Sequence, residues 1–120
     1  MSGKRSFDQK VENILLYIEK HLSEPLQLTA IAQTFNISVS HLSHQFKKHM
    51  GISVFHYIKQ RRLELVNYYR NSGMTLTEAA MKAGFADYAV FYKAYYQQYG
   101  TSPSKYNPTQ AKDNNLKDKK

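Results

Sequence analysis

Along most of the chain, apolar residues recur at intervals of three and four, the period that lines one face of an α-helix. Six such stretches follow one another, and the alternation of Val, Ile and Thr that is typical of strands is nearly absent. The pattern therefore predicts an all-α fold. A short final turn that begins at Ser102 and Pro103 brings the expected number of helices to about seven.

Residues that favour helix ends separate these stretches. Ser6 begins a capping-box pattern, and Ser38, Ser53 and Asp87 each stand where the following helix needs an N-cap. Thr75 begins a complete capping box. The apolar stripes of the longest predicted helix come from Phe55, Ile58, Leu63, Val66 and Tyr69.

These signals divide the chain into five parts. In order, they are a flexible N-terminus (residues 1–7), a first unit (8–52), a long central linker helix (53–72), a second unit (73–107) and a disordered tail (108–120). The last long helix of the first unit is predicted over about residues 39–49, and that of the second unit over about residues 87–99.

The two units repeat one sequence pattern. At an offset of 48, the matched pairs are Leu28 and Leu76, Thr29 and Thr77, Ala32 and Ala80, and Asn36 and Gly84. After a one-residue insertion the offset is 49, and the pairs are Leu42 and Phe91, Phe46 and Tyr95, and Gly51 and Gly100. Each copy has the pattern of two helices joined by a short turn. That is a helix-turn-helix, whose second helix enters the major groove of DNA.

The net charge of +8 is concentrated on the repeat. Residues 26–107 carry nine Lys and Arg against three acidic residues, whereas residues 1–25 carry four of each. A polyanionic partner explains this placement, while a general role in solubility explains only the size of the charge. For a single helix pair, packing without nucleic acid would be the better interpretation. Two copies, the concentrated charge and a basic linker together favour double-stranded DNA.

Other classes of function find little support in the sequence. There is no cysteine, which excludes thiol catalysis and cysteine-rich zinc sites and fits a reducing cytoplasm. His41 and His44 lie on adjacent faces of one helix without a nearby carboxylate, so no metal is expected. Ser43 lacks base and acid partners, so we expect neither an enzyme nor a cofactor. No apolar run is long enough for a signal peptide or a membrane span.

On these residues the chain resembles the C-terminal DNA-binding domain of the AraC/XylS family of bacterial transcription regulators. The resemblance covers about residues 8–106. It is carried by Leu28-Thr29, Ile31-Ala32, Ile37-Ser38, Leu42-Ser43, Phe46-Lys47-Lys48, Gly51, Tyr57-Ile58, Arg62-Leu63, Glu78-Ala79-Ala80, Gly84-Phe85, Asp87, Phe91, Gly100, Ser102-Pro103-Ser104 and Tyr106. It implies seven helices, with two helix-turn-helix units joined by the long helix, and one chain that contacts two successive major-groove segments.

The length of the linker helix agrees with that implication. At about 1.5 Å per residue it would be about 28 Å long, which can separate the two recognition helices by about one turn of DNA. A shorter separation would require the DNA to bend, because both helices must still reach a groove.

The resemblance also implies which side chains touch DNA. Base-edge contacts are expected from Ser40, Ser43, His44, Tyr88, Ala89, Tyr92 and Lys93. Contacts with the DNA backbone are expected from Ser38, Lys47, Lys48, Lys59, Arg62 and Tyr96. For Arg62, a place in the interface between the two units is the alternative.

The recognition helices depart from the family pattern in ways that affect specificity. His44 and Lys93 stand where the family often has Arg, and neither helix exposes Arg, Gln or Asn at its front. Those side chains are the strongest readers of guanine and adenine, so we expect modest specificity and a preference for A·T pairs. Tyr95-Tyr96 replaces the usual Phe-Lys, which removes one phosphate contact.

Two alternatives remain open. The stripe of Tyr88, Tyr92 and Tyr96 suits a protein contact as well as DNA, which would make the chain a helical protein-interaction domain. The basic charge alone suits a nucleic-acid binder of low specificity, such as an architectural protein.

The expected function is sequence-specific DNA binding in a bacterial transcription regulator, acting as an activator at the nucleoid in the cytoplasm. The expected partners are a promoter or operator in double-stranded DNA and RNA polymerase, with no membrane. No effector-sensing domain is recognisable in the sequence. The chain is therefore expected to be either a fragment of a larger regulator or a stand-alone one.

Overall fold

A computed structural model describes residues 2–104, and for residues 2–8 only the course of the backbone. Within this range every regular element is a helix, which confirms the predicted fold class. The helices are α1 (Ser2–Lys20), α2 (Leu28–Thr34), α3 (Val39–Met50), α4 (Val54–Asn71), α5 (Leu76–Ala83) and α6 (Tyr88–Tyr99). The short seventh helix was predicted to begin at Ser102 and Pro103. Pro103 is buried, but most of the predicted helix, like the predicted tail, lies outside the described residues.

The chain divides into two compact units, Met1–Lys59 and Gln60–Lys120. In the first unit, α1 and α2 both pack against α3. The buried side chains of this unit are Val11, Ile14, Ile18, Leu22, Ile31, Ala32, Leu42, Phe46, Val54 and Ile58. They are all apolar, so the hydrophobic effect is the main force that holds its helices together.

In the second unit, α5 packs against α6. The buried cluster comprises Leu63, Val66, Ala79, Ala80, Ala83, Phe85, Phe91, Ala94 and Tyr95. Three alanines let α5 approach closely, and aromatic rings fill the remaining space. Phe91 is edge-on to Phe85 at 5.4 Å and to Tyr95 at 5.6 Å between ring centroids. Truncating a buried ring of this kind costs about 3–5 kcal/mol, so Phe91 is a main contributor to this core.

The turn inside each helix pair depends on one residue with left-handed backbone. Asn36 has a φ of 57° and Gly84 a φ of 110°, as the Asn and Gly at these positions predicted. In both turns the next amide donates a hydrogen bond back to an alanine carbonyl, Ile37 to Ala32 at 3.0 Å and Phe85 to Ala80 at 3.1 Å. The two turns are therefore built the same way.

Side-chain caps fix the start of four helices. In each cap, the side-chain oxygen of the capping residue accepts a hydrogen bond from a backbone amide three residues later. The pairs are Ser38 with His41 at 3.0 Å, Ser53 with His56 at 3.0 Å, Thr75 with Glu78 at 3.2 Å and Asp87 with Val90 at 2.9 Å. All four caps were predicted from the sequence, and Thr75 and Glu78 form the full capping box. By contrast, α2 begins after Gln27 without a side-chain cap.

The start of α1 differs from the prediction. The backbone is helical from Ser2, so Ser6 lies inside α1 and is not its N-cap. Residues 2–7 of the segment predicted to be flexible continue the same helix. No strong helix breaker stands before Ser6, because a single Gly3 costs only about 1 kcal/mol relative to alanine.

Phe55 was predicted to lie in an apolar stripe of α4, and this was wrong. Its side chain is 70% exposed, whereas Val54 and Ile58 are buried. Since Val54 and Ile58 are four residues apart, they define the inward face of the first turns and direct Phe55 outward. The Nζ of Lys59 lies 5.9 Å from the centroid of the Phe55 ring, within the range of a cation–π contact.

Removing the cap at Thr75 tests its contribution to stability. Thr75→Ala should lower the free energy of unfolding by about 1 kcal/mol, because the Glu78 amide loses the hydroxyl oxygen that accepts it. Gln27→Ala is the matched control at the uncapped start of α2 and should change it by less than about 0.5 kcal/mol. Urea denaturation measures both, and equal losses would contradict a stabilising role for the Thr75 cap.

The same capping box predicts a pH dependence. The backbone N–H and hydroxyl of Thr75 each donate to the Glu78 carboxylate at 3.0 Å, which lowers the pKa of Glu78 below its ordinary 4.5. A carboxylate with a lowered pKa stabilises the fold above that ordinary value, and the contribution disappears as the pH falls through the native pKa. Glu78→Gln keeps the box but does not ionise.

The stability difference between the wild type and Glu78→Gln should therefore shrink between about pH 6 and about pH 3. Urea denaturation at several pH values provides the measurement. A difference that stays constant over this interval would show that the charge of Glu78 contributes nothing.

Candidate nucleic-acid interface

The third helix is held so that one face points away from the core of its unit. The Ser38 cap fixes its start, and the side chains of Leu42 and Phe46 are buried. Because these two residues are four apart, the opposite side of α3 carries Ser40, His44 and Lys47, all of them exposed. We call these three residues the outer face of α3.

The sixth helix is held in the same way. Asp87 caps its first turn, and Phe91 and Tyr95 are buried. The outer face of α6 accordingly consists of three exposed residues, Ala89, Lys93 and Tyr96.

The two helices match residue by residue at an offset of 49. Val39 and Tyr88 are each 37% exposed, Leu42 and Phe91 are buried, and so are Phe46 and Tyr95. Each outer face has its equivalent on the other helix, namely Ser40 with Ala89, His44 with Lys93 and Lys47 with Tyr96. The repeat seen in the sequence is therefore a repeat of orientation as well. Each unit presents its second long helix in the same register relative to its own core.

The predicted base-contact residues differ in how far they are exposed. Ser40 and His44 are exposed, whereas Ser43 is half-buried at the flank of α3. On α6, Ala89 and Lys93 are exposed on the outer face. The structure thus leaves Ser40, His44, Ala89 and Lys93 accessible to a ligand, and Ser43 accessible in part.

The tyrosines of α6 are ordered by one another and by the core. The rings of Tyr92 and Tyr96 are stacked, with centroids 6.4 Å apart and planes 18° apart. Tyr88 sits edge-on to buried Phe91 at 5.4 Å. Their rings are exposed by 37% for Tyr88, 42% for Tyr92 and 53% for Tyr96. They form an amphipathic strip along one flank of α6, with hydroxyl groups that can donate or accept.

The residues predicted to contact the DNA backbone fall into two groups. Lys47 and Lys48 are exposed in the last turn of α3, where cations also suit the helix dipole. The Ser38 oxygen already accepts the His41 amide, which leaves its O–H to donate to a phosphate. Lys59 and Arg62, on α4, are half-buried. Burial lowers the pKa of the Arg62 guanidinium, although arginine remains charged at neutral pH.

The predicted contact residues did not include Val90, an exposed apolar residue of α6. Val90 is 49% exposed in the first turn of α6, next to the outer face. The signal was present, because Val90 is the equivalent of His41 at the offset of 49, one position before buried Phe91. Its aliphatic side chain offers no hydrogen bond and no charge, the two features on which the predicted contacts depend.

Other kinds of site are not formed by the described residues. Across residues 9–104 there is no group of three His, Cys, Asp or Glu side chains that could hold a metal ion. In the same part of the chain, no helix is long and apolar enough to cross a membrane.

Comparison with known proteins gives one family and several relatives. Residues 31–108 match the family described as Helix-turn-helix domain. Over 104 residues the chain is 29% identical to the HTH-type transcriptional activator RhaS of Salmonella schwarzengrund, an alignment that covers 86% of this chain and 37% of RhaS. The chain thus spans little more than a third of the length of this relative.

Solved structures agree with this similarity. The C-terminal domain of AraT, a response regulator from Geobacillus stearothermophilus, is 29% identical with a TM-score of 0.78, covering 83% of this chain and 84% of that domain. The C-terminal domain of the two-component response regulator yesN from Fusobacterium nucleatum is 26% identical with a TM-score of 0.73, covering 78% of this chain and 92% of that domain.

Proposed function

The chain belongs to the AraC-type helix-turn-helix domain family, and from that premise we propose that it is the sequence-specific DNA-binding part of a bacterial transcription regulator. The observation that carries the proposal is the equivalence of α3 and α6, each of which exposes one face in the same register. A helix presented in this way fits the major groove of B-DNA, which is about 12 Å wide.

In the proposed complex, α3 provides the stronger anchor. Ser40 and His44 hydrogen-bond base edges from the outer face, with Ser43 at its flank. Lys47 and Lys48 neutralise phosphates, and the Ser38 hydroxyl donates to another. These contacts come from one short helix whose start is fixed by its cap, so little backbone conformational entropy is lost on binding.

The contribution of α6 is different in kind. Lys93 is the one cation on this helix and can donate to guanine or to a phosphate. Tyr88, Tyr92 and Ala89 supply apolar surface and hydroxyl groups to the bases, while Tyr96 reaches a phosphate through its O–H. Because α6 carries one cation, binding by α6 should depend less on salt than binding by α3. We place Lys59 and Arg62 of α4 near the DNA backbone as well.

The regulatory role rests on the relatives. RhaS is named a transcriptional activator, and we propose activation for this chain too, with RNA polymerase as a protein partner and the bacterial nucleoid as the place of action. The proposed function is binding, with no catalytic step.

Selection from random DNA tests the proposal most directly. The chain should enrich a defined site, and a site longer than one groove segment would show that both units engage. The selected duplex should then bind more tightly than a scrambled duplex at every salt concentration in a series. Equal affinities throughout would favour an architectural binder of low specificity instead.

Protein binding is the second candidate, favoured by four exposed apolar or aromatic side chains on α6: Tyr88, Val90, Tyr92 and Tyr96. It predicts other effects of substitution than DNA binding does. Tyr92→Ala would abolish partner binding, while His44→Ala and Lys93→Ala would leave it intact.

Replacing His44 should weaken binding to the selected duplex more than binding to the scrambled duplex. Loss of one hydrogen bond to a base corresponds to about 0.5–1.5 kcal/mol, so His44→Ala should weaken binding to the selected duplex about 2- to 12-fold. Binding to the scrambled duplex should change little. His56→Ala removes an exposed imidazole on α4 and serves as the control. Fluorescence anisotropy with both duplexes measures the ratio, and an unchanged ratio for His44→Ala would contradict its role as a base reader.

Removing a positive charge at Lys47 and adding one at the equivalent Tyr96 tests whether these faces of α3 and α6 contact the DNA. Lys47→Ala should reduce the magnitude of the negative slope of log affinity against log salt by about 0.9, the value for one phosphate contact. Tyr96→Lys should increase that magnitude by about the same amount, because it places a cation at the equivalent position of α6. Lys20→Ala, at an exposed residue of α1, should leave the slope unchanged. A Tyr96→Lys slope equal to that of the wild type would place α6 away from the DNA.

A further inference from the structure

The first turn of α6 presents an apolar surface at the point where a recognition helix meets the bases. Ala89 and Val90 are exposed there. The carboxylate of Asp87, the charged group nearest to them in sequence, accepts the Val90 amide at 2.9 Å as the helix cap. Since the N-terminal residues of a recognition helix contact base edges, this surface would lie against the floor of the groove.

Val90 is well suited to a contact that depends on shape. Its side chain is 49% exposed, yet its backbone is fixed by the Asp87 cap and by the burial of neighbouring Phe91. A β-branched side chain in a helix has one strongly preferred rotamer. The two methyl groups of Val90 therefore point in a defined direction before any ligand binds, and little entropy is lost when they are covered.

The first unit differs at the equivalent position. There, His41 is half-buried and takes part in an interaction within the protein. The equivalent of Ala89 is Ser40, which can hydrogen-bond to bases. The apolar pair Ala89 and Val90 is thus a property of α6 and not of the repeat.

In the major groove, the apolar feature of a base edge is the C5-methyl group of thymine. A valine or alanine can neither donate to the N7 and O6 acceptors nor accept from the N4 and N6 amino groups of the other bases, and would leave these groups without a partner. We infer that the second unit reads thymine by methyl contact, with Val90 as the specificity-determining residue and Ala89 beside it. This inference rests on the proposed function and adds the base and the residues that select it.

A double-mutant cycle between Val90 and the thymine methyl tests the inference. The probes are the duplex selected from random DNA and the same duplex with deoxyuridine in place of every thymine, which removes the methyl groups and keeps the base pairing. Both are bound by the wild type and by Val90→Ala. Leu16→Ala, at a 68% exposed leucine on α1, is the control for a shortened aliphatic side chain away from the recognition helices.

The wild type should bind the deoxyuridine duplex more weakly, by about fourfold for each methyl group that is buried. For Val90→Ala this penalty should fall by about fourfold or more, while Leu16→Ala should keep the wild-type penalty. Circular dichroism of Val90→Ala should match the wild type, because alanine at an exposed helical position does not disturb the core.

The contrary outcomes are distinct. An equal penalty in the wild type and Val90→Ala, no penalty in the wild type, or a selected site without thymine would overturn the inference and leave sequence-specific binding in place. If the wild type binds the selected and scrambled thymine duplexes equally, the proposed function fails and the inference fails with it. If Val90→Ala instead loses a protein partner and no DNA affinity, α6 is a protein contact and the inference is overturned.

Discussion

Burial of two side chains four residues apart on each recognition helix is the constraint on which the rest depends. Leu42 and Phe46 fix the rotation of α3 within its unit, and Phe91 and Tyr95 fix that of α6. On α3, a rotation of about 100° would bring polar residues into the apolar core and expose Leu42 and Phe46, at a cost of several kcal/mol. On α6, the same rotation would expose the large rings of Phe91 and Tyr95. Every outward position follows from this choice, so packing in the core decides which side chains can meet a ligand.

Most of the fold and the outward faces could be predicted from the sequence, because the signals were strong and local. The caps at Ser38 and Thr75 and the helical period of the apolar residues each have one simple physical meaning. Ser6 and Phe55 were assigned wrongly because competing signals there are weak. A capping residue does not prevent a helix from starting earlier, and the inward face at the start of α4 is defined by Val54 and Ile58 only once they pack. Val90 was overlooked because exposure of an aliphatic residue depends on tertiary burial.

The two units share one frame but carry different chemistry. On α3 the last turn holds Lys47 and Lys48, and on α6 the equivalent residues are Tyr96 and Gln97. The cations of the two recognition helices are therefore concentrated at the end of α3, whereas α6 offers mainly aromatic and aliphatic surface that acts only at contact distance. Such a division suits a domain in which α3 adds electrostatic attraction to its base contacts and α6 contributes mainly by fit.

The separation of buried pairs from outer faces has a consequence for how such a chain changes over time. Substitutions at Ser40, His44, Ala89 or Lys93 alter the surface without touching the residues that hold the helices, so they carry little penalty in stability. Because α3 and α6 are oriented in the same way relative to the cores of their units, a side chain that suits one helix meets the same backbone geometry on the other. New binding preferences can thus accumulate one unit at a time, while the unchanged unit keeps the chain attached to its site.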